Sequence, residues 1–153
     1  MRAREIMDPR FEALQPENTV VQAVERFSEI SRALGRKMFG LMVTDGDGRL
    51  VGMLSMYDIL LFIQPKHVHI WGEMDDLKPA GLFEELLGKV KNIRVGDIMT
   101  TEVVTISPET HVLLIVDVML KKHIRRLPVI EGEQVVGVVY ISDVFYQLMH
   151  RIV

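Results

Sequence analysis

The chain of 153 residues is 48% apolar and 25% charged with a formal net charge of −3, the balance of an ordinary globular protein. That charge offers no general attraction to nucleic acid or an anionic membrane, and no apolar run approaches the ~18 residues of a membrane span. The absence of cysteine excludes disulfides, thiolate metal sites and a cysteine nucleophile, and no apolar signal core follows Met1-Arg2-Ala3-Arg4-Glu5, so a cytoplasmic location is expected.

From the N-terminus, Glu5-Ile6-Met7 and Pro16 precede Asn18, an expected helix N-cap. An apolar stripe at helical spacing follows: Val20, Val21, Val24, Phe27, Ile30 and Leu34. Phe39 to Val43 and Leu50 to Leu54 read as strands around the turn Asp45-Gly46-Asp47-Gly48, a hairpin. Asp58 then opens a helix carrying Ile59, Leu60, Leu61 and Phe62. Residues 64–91 differ in character. They hold Pro65, His67, His69, Trp71, an acidic patch and a short helix expected from Gly81 to Val90. A connection of that length is expected to pack on the core or at an oligomer contact.

Asp97-Ile98-Met99 and Pro108 start the pattern again, with Thr110 the expected cap of a helix bearing Val112, Leu113, Val116, Met119 and Leu120. Leu127 to Ile130 and Val135 to Tyr140 form a second hairpin, and Asp143 opens a helix with Val144, Phe145, Leu148 and Met149. Met7 and Met99, Pro16 and Pro108, and Asn18 and Thr110 all stand 92 residues apart. Val43 and Ile130 stand 87 apart; Gly52 and Gly137, like Asp58 and Asp143, stand 85 apart. The offset changes only where loops and helix ends tolerate indels. The chain is an internal duplication, with copies at 1–63 and 92–153 and a linker at 64–91. A single copy of about 50–60 residues is marginal alone, which explains the pairing without invoking function.

The second copy, through Asp97-Ile98-Met99, Pro108, Leu127-Pro128-Val129-Ile130 and Gly137-Val138-Val139 before Asp143, resembles a cystathionine-β-synthase (CBS) domain. The first resembles it through Ile6-Met7, Pro16, Leu41-Met42-Val43 and Gly52-Met53-Leu54-Ser55-Met56-Tyr57-Asp58. The resemblance implies a mixed α/β fold of two β-α-β-β-α repeats packed by pseudo-twofold symmetry, a Bateman module. It also implies an adenosyl ligand (AMP, ADP, ATP or S-adenosylmethionine) in the clefts between copies, and a homodimer.

In such repeats an aspartate takes the ribose hydroxyls and a small hydroxyl the phosphate. The chemistry is apt, since a carboxylate accepts two O–H groups and a helix start favours an anion. Ser55 and Asp58 match in the first copy. In the second Asp143 matches, but Tyr140 replaces the small hydroxyl, to stack on a base or fill the pocket, and Ser142 is a displaced hydroxyl. Both aspartates also suit plain helix N-termini. Basic residues precede each hairpin: Arg36 and Lys37, then Lys121, Lys122, Arg125 and Arg126. Lys37, Arg125 and Arg126 are the candidate phosphate cations, although basic groups at a helix C-terminus also offset its dipole. The Ser55/Asp58 cleft is expected to be the better nucleotide site, with the Tyr140 cleft empty, weaker or specific for another ligand.

The Asp45–Gly48 turn lacks oxygen ligands at Arg49 and Met56 and reads as a turn, not a calcium loop. His67 and His69 have no third metal ligand in evidence. No activated nucleophile, acid–base pair or Walker-type loop appears, so no catalysis, metal or obligatory cofactor is expected. The leading expectation is a stand-alone ligand sensor signalling through an unidentified protein partner or a change of oligomer. The alternative is a structural or dimerisation module with filled clefts.

Overall fold

The computed structural model describes residues 1–64 and 79–153. The elements in chain order are α1 (Ala3–Ile6), β1 (Ala13–Leu14), α2 (Val20–Leu34), β2 (Gly40–Thr44), β3 (Leu50–Ser55) and α3 (Met56–Ile63). They continue as α4 (Pro79–Lys91), α5 (Val95–Ile98), α6 (Val112–Lys122), β4 (Arg126–Glu131), β5 (Gln134–Tyr140) and α7 (Ile141–Met149). The mixed α/β class, both hairpins and the linker helix follow the expectation. His67, His69 and Trp71 lie outside the described residues.

The duplication leaves its mark on the helix ends. Asn18 and Thr110 do not cap α2 and α6; the caps fall one residue later. Thr19 accepts from the Gln22 amide, and His111 Nδ1 accepts from the Leu113 amide. Asn18 and Thr110 instead accept from the Gln15 and Ser107 amides, closing the turns that lead into each helix. At the far ends Gly35 and His123 both adopt the left-handed conformation, φ 67° and 53°. The stripes also resolve differently. α2 buries Val20, Ala23, Phe27 and Ile30 but exposes Val21 and Val24; α6 buries Val112, Ile115 and Met119 but exposes Leu113 and Leu120. The expected stripes had merged two apolar faces, only one of which packs inward.

Contacts divide the chain into two compact units, and these differ in make-up from the sequence repeats. One unit is Met1–Glu12, Asp45–Leu50 and Glu102–Val153; the other is Ala13–Thr44 and Val51–Thr101. Each therefore joins the body of one copy to the leading segment of the other.

In the unit led by residues 1–12, the Ala3 amide donates to the Thr110 carbonyl and the Val112 amide to the Met1 carbonyl. Asp8 pairs with Val138 by two backbone bonds, at 2.8 and 3.0 Å. β4 and β5 form an antiparallel hairpin, and Ile106 bridges Val129 in parallel. Its core comprises Ala3, Ile6, Ile106, Ile115, Leu127 and Val139 among others. The Asp45–Leu50 turn belongs here: Gln134 Nε2 donates to the Asp47 carbonyl, and Arg49 pairs with Glu133 at 3.0 Å. The Asp45 carboxylate accepts from the Asp47 and Arg49 amides, as a hairpin turn requires.

The other unit repeats the plan. The Val20 amide donates to Ile93, the Val95 amide to Asn18, and Met53 pairs with Thr100 by bonds of 2.9 and 2.8 Å. Its sheet has the order β1-β2-β3, with β1 parallel to β2, and α4 packs on α2 and α3.

Candidate functional site

β3 ends where Ser55, still extended at φ −119°, turns the chain into α3. Asp58 in the first helical turn reaches back to it: Oδ2 accepts from the Ser55 amide at 2.8 Å and from Ser55 Oγ at 3.1 Å. The second oxygen, Oδ1, accepts from Thr100 Oγ1 at 3.0 Å. Thr100 stands there because its backbone pairs with Met53, and Gly52 permits that approach. A Cβ on Gly52 would lie 2.7 Å from Met99 Sδ and 2.8 Å from the Thr100 carbonyl. One carboxylate is thus oriented by two hydroxyls, at a half-buried helix start that favours anions.

Expected partners are only partly assembled. Ser55 and Asp58 come together as predicted. Lys37 is exposed on the loop before β2, with no hydrogen bond or ion pair to either, although, two residues on, the Phe39 carbonyl accepts from the Met56 amide at the start of α3 at 2.7 Å. Thr100 was missed. Its signal was available: it follows Met99 as Asp8 follows Met7.

The equivalent place in the other unit is built from the same offsets but different chemistry. Tyr140 occupies the N-cap of α7, is 9% exposed, and makes no side-chain cap bond. Asp143 lies half-buried in the first turn, and Ser142 is exposed beside it. Arg126, the first residue of β4, pairs in register with Tyr140. Arg125 is exposed just before the strand, and its carbonyl accepts from the Ile141 amide.

Where the first site has Thr100, this one has Asp8, buried at 8% exposure. Its carboxylate holds Arg10 from two sides, with Nε to Oδ1 at 3.1 Å and Nη2 to Oδ2 at 3.0 Å, and also accepts the Arg10 amide at 2.9 Å. That hydrogen bonding and the Asp8 charge raise Arg10 above its ordinary pKa range. Gly137 mirrors Gly52: a Cβ there would meet the Asp8 carbonyl and Met7 Sδ, each at 3.0 Å. A cavity of about 380 Å³ opens here, lined by Glu5, Met7, Asp8, Asp143, Tyr146 and His150 among others. That volume falls within the roughly 300–1,000 Å³ of small-molecule clefts. Sequence reading named neither Asp8 nor Arg10. Among the described residues, no cluster of three His, Asp or Glu could hold a metal ion.

The architecture and the duplicated Gly-x-x-[Ser/Tyr]-x-x-Asp signature meet in the CBS domain, whose family model matches residues 3–65 and 95–150. The chain belongs to the CBS-domain family. A protein of Methanocaldococcus jannaschii, MJ1426, described as uncharacterized, is 30% identical over 125 residues, 74% of each chain. A shorter stretch of 63 residues, 40% of this chain, is 42% identical to the mitochondrial CBS domain-containing protein CBSX3 of Arabidopsis thaliana; it spans only 31% of that protein. Among solved structures, the CBS-pair protein CBSX2 in complex with AMP matches with a TM-score of 0.72 at 23% identity, over 99% of this chain and 98% of that one. No helix among the described residues is long and apolar enough to cross a membrane.

Proposed function

We propose that this CBS pair is a regulatory sensor of an adenine nucleotide, with the Ser55/Asp58 site as its principal binding place. The observation that carries the reading is the Asp58 carboxylate, held by Ser55 and Thr100 at the start of α3. Ribose hydroxyls can take over as donors to that carboxylate, which releases both protein hydroxyls to face a phosphate at the helix start. The AMP bound by CBSX2, a protein of the same fold, supports the ligand class. S-adenosylmethionine remains a candidate through its ribose. Lys37, Arg125, Arg126 and Ser142 are held in reserve as phosphate contacts.

Output passes through a protein partner or a homodimer in this reading. Val21, Val24, Leu60 and Leu61 in one unit, and Leu113, Leu120 and Phe145 in the other, are exposed apolar side chains on helices. Such faces are the ones a second copy covers. The same faces support the structural alternative, a dimerisation module without a ligand.

Titration calorimetry with AMP, ATP and S-adenosylmethionine decides between them. Asp58→Ala should weaken nucleotide binding roughly ten- to a hundredfold, the loss of about 1.5–3 kcal/mol in charge-assisted hydrogen bonds. A parent protein that binds none of the three leaves the structural module as the function.

A further inference from the structure

We propose that Met99 is a modification site that controls Asp58: oxidised to the sulfoxide by a hydroperoxide, it parts the Met53–Thr100 pairing and takes the Thr100 hydroxyl away from the carboxylate. The structural step stands on the packing around Gly52. Its effect on nucleotide binding rests on the reading of Asp58 as the ribose-binding carboxylate.

The thioether is held where any added atom is felt. A Cβ on Gly52 would lie 2.7 Å from Met99 Sδ and 3.1 Å from Met99 Cγ, so the sulfur fills the room that glycine leaves on β3. The same point lies 2.8 Å from the Thr100 carbonyl oxygen. That carbonyl accepts from the Met53 amide at 2.9 Å, and the Thr100 amide donates to the Met53 carbonyl at 2.8 Å. Thr100 Oγ1 then reaches Asp58 Oδ1 at 3.0 Å. Sulfur, strand pairing and carboxylate are consecutive contacts within one compact unit.

The chain has ten methionines and no cysteine, so no thiol competes for an oxidant. Met38, Met42 and Met119 are buried, whereas half-buried Met99 keeps an accessible surface that a small peroxide can reach. In the reaction Sδ takes one oxygen: an S–O bond forms, the peroxide O–O bond breaks, sulfur gives up two electrons, and hydrogen peroxide departs as water. The flexible apolar side chain becomes a polar one with a strong acceptor oxygen. Kept in place, it enlarges a group already packed against Gly52 and sets a second acceptor beside the Thr100 carbonyl. Swung out to water, it vacates Gly52. Either course disturbs the approach of Met99 to β3, and Thr100 is the next residue in the chain. Met56 provides the contrast: it is 44% exposed at the start of α3, and a sulfoxide there stays in water.

The experiment treats the full chain with hydrogen peroxide, quenches it, and follows each methionine by peptide mass spectrometry. Amide hydrogen exchange at Met53 and Thr100 reads the pairing, and calorimetry reads AMP binding. In the Met99 sulfoxide, exchange at both amides should quicken about tenfold, and AMP should bind about three- to tenfold more weakly through loss of the Thr100 donor. A methionine sulfoxide reductase with dithiothreitol, which removes the oxygen as water, should restore both. Met99→Leu keeps the volume without the sulfur and should make both readouts insensitive to peroxide, whereas Met56→Leu should respond as the parent does. Full oxidation of Met56 with Met99 left intact overturns the proposal. So does a Met99 sulfoxide with the parent's exchange or, in a protein that binds AMP through Asp58, the parent's affinity. A Met99→Leu chain that peroxide disturbs as much as the parent overturns it as well. Should that variant fail to fold, the reductase carries the test on the parent: amides that stay fast once Met99 is a thioether again refute the proposal. Reversible quickening in a protein that never binds AMP refutes the nucleotide reading of Asp58 and leaves the oxidation step standing.

Discussion

Thr100 shows how a side chain from far along the chain can orient the carboxylate of the Gly52–Asp58 signature. Its hydroxyl donates to Asp58 Oδ1 at 3.0 Å, opposite the oxygen that Ser55 engages. Thr100→Val keeps the shape and removes the donor. It should weaken AMP binding about three- to tenfold, read by calorimetry, with little change in melting temperature because an exposed hydrogen bond contributes roughly 0.5–1.5 kcal/mol at most. His123 offers a test in the opposite direction. It ends α6 in the left-handed conformation at φ 53°, where Gly35 ends α2 at 67°. A side chain there costs roughly 1–2 kcal/mol that glycine avoids. His123→Gly should therefore stabilise the protein by about 1 kcal/mol after the added chain entropy, raising the melting temperature by about 2–4 °C.

At the scale of elements, the close approach of a strand to a foreign segment is the decisive feature. β3 receives Met99 and Thr100 across Gly52, and β5 receives Met7 and Asp8 across Gly137. Gly52→Ala drives a methyl into the Thr100 carbonyl, which is backbone and cannot swing away. The substitution should destabilise by about 1–3 kcal/mol and weaken AMP binding with it. Gly46→Ala is the control: nothing lies within 4 Å, and its melting temperature should match the parent's. The helix caps teach a smaller lesson. Asn18 and Thr110 have the right chemistry, but each serves the turn before the helix, and the adjoining Thr19 and His111 take the cap. Neighbouring polar residues are interchangeable in a sequence pattern; only the backbone path chooses between them.

For the whole molecule, the second apolar face of the long helices is the feature that asks for a partner. Leu113 and Leu120 are 69% and 62% exposed on α6. If a second copy covers them, sedimentation of the parent at tens of micromolar gives twice the chain mass, a rough working range for ordinary interfaces. Leu113→Glu with Leu120→Glu should then give a monomer of unchanged helix content. A parent that sediments as a monomer returns these faces to a different partner.

The duplication, both hairpins, the mixed α/β class and the pairing of Ser55 with Asp58 were all determined by local sequence. Each rests on residues close in the chain, where periodicity and turn chemistry leave a readable trace. The exchange of leading segments was not readable in this way. Thr100 meets Asp58 across 42 residues, and Asp8 meets Val138 across most of the chain. Contacts at such separations impose no period. The tertiary structure alone decided which apolar stripe of α2 and α6 turns inward, that Thr100 reaches Asp58, and that Arg10 is engaged by a buried Asp8. Packing a copy's body against the other copy's leading segment selects those neighbours, and such contacts leave no period in the sequence.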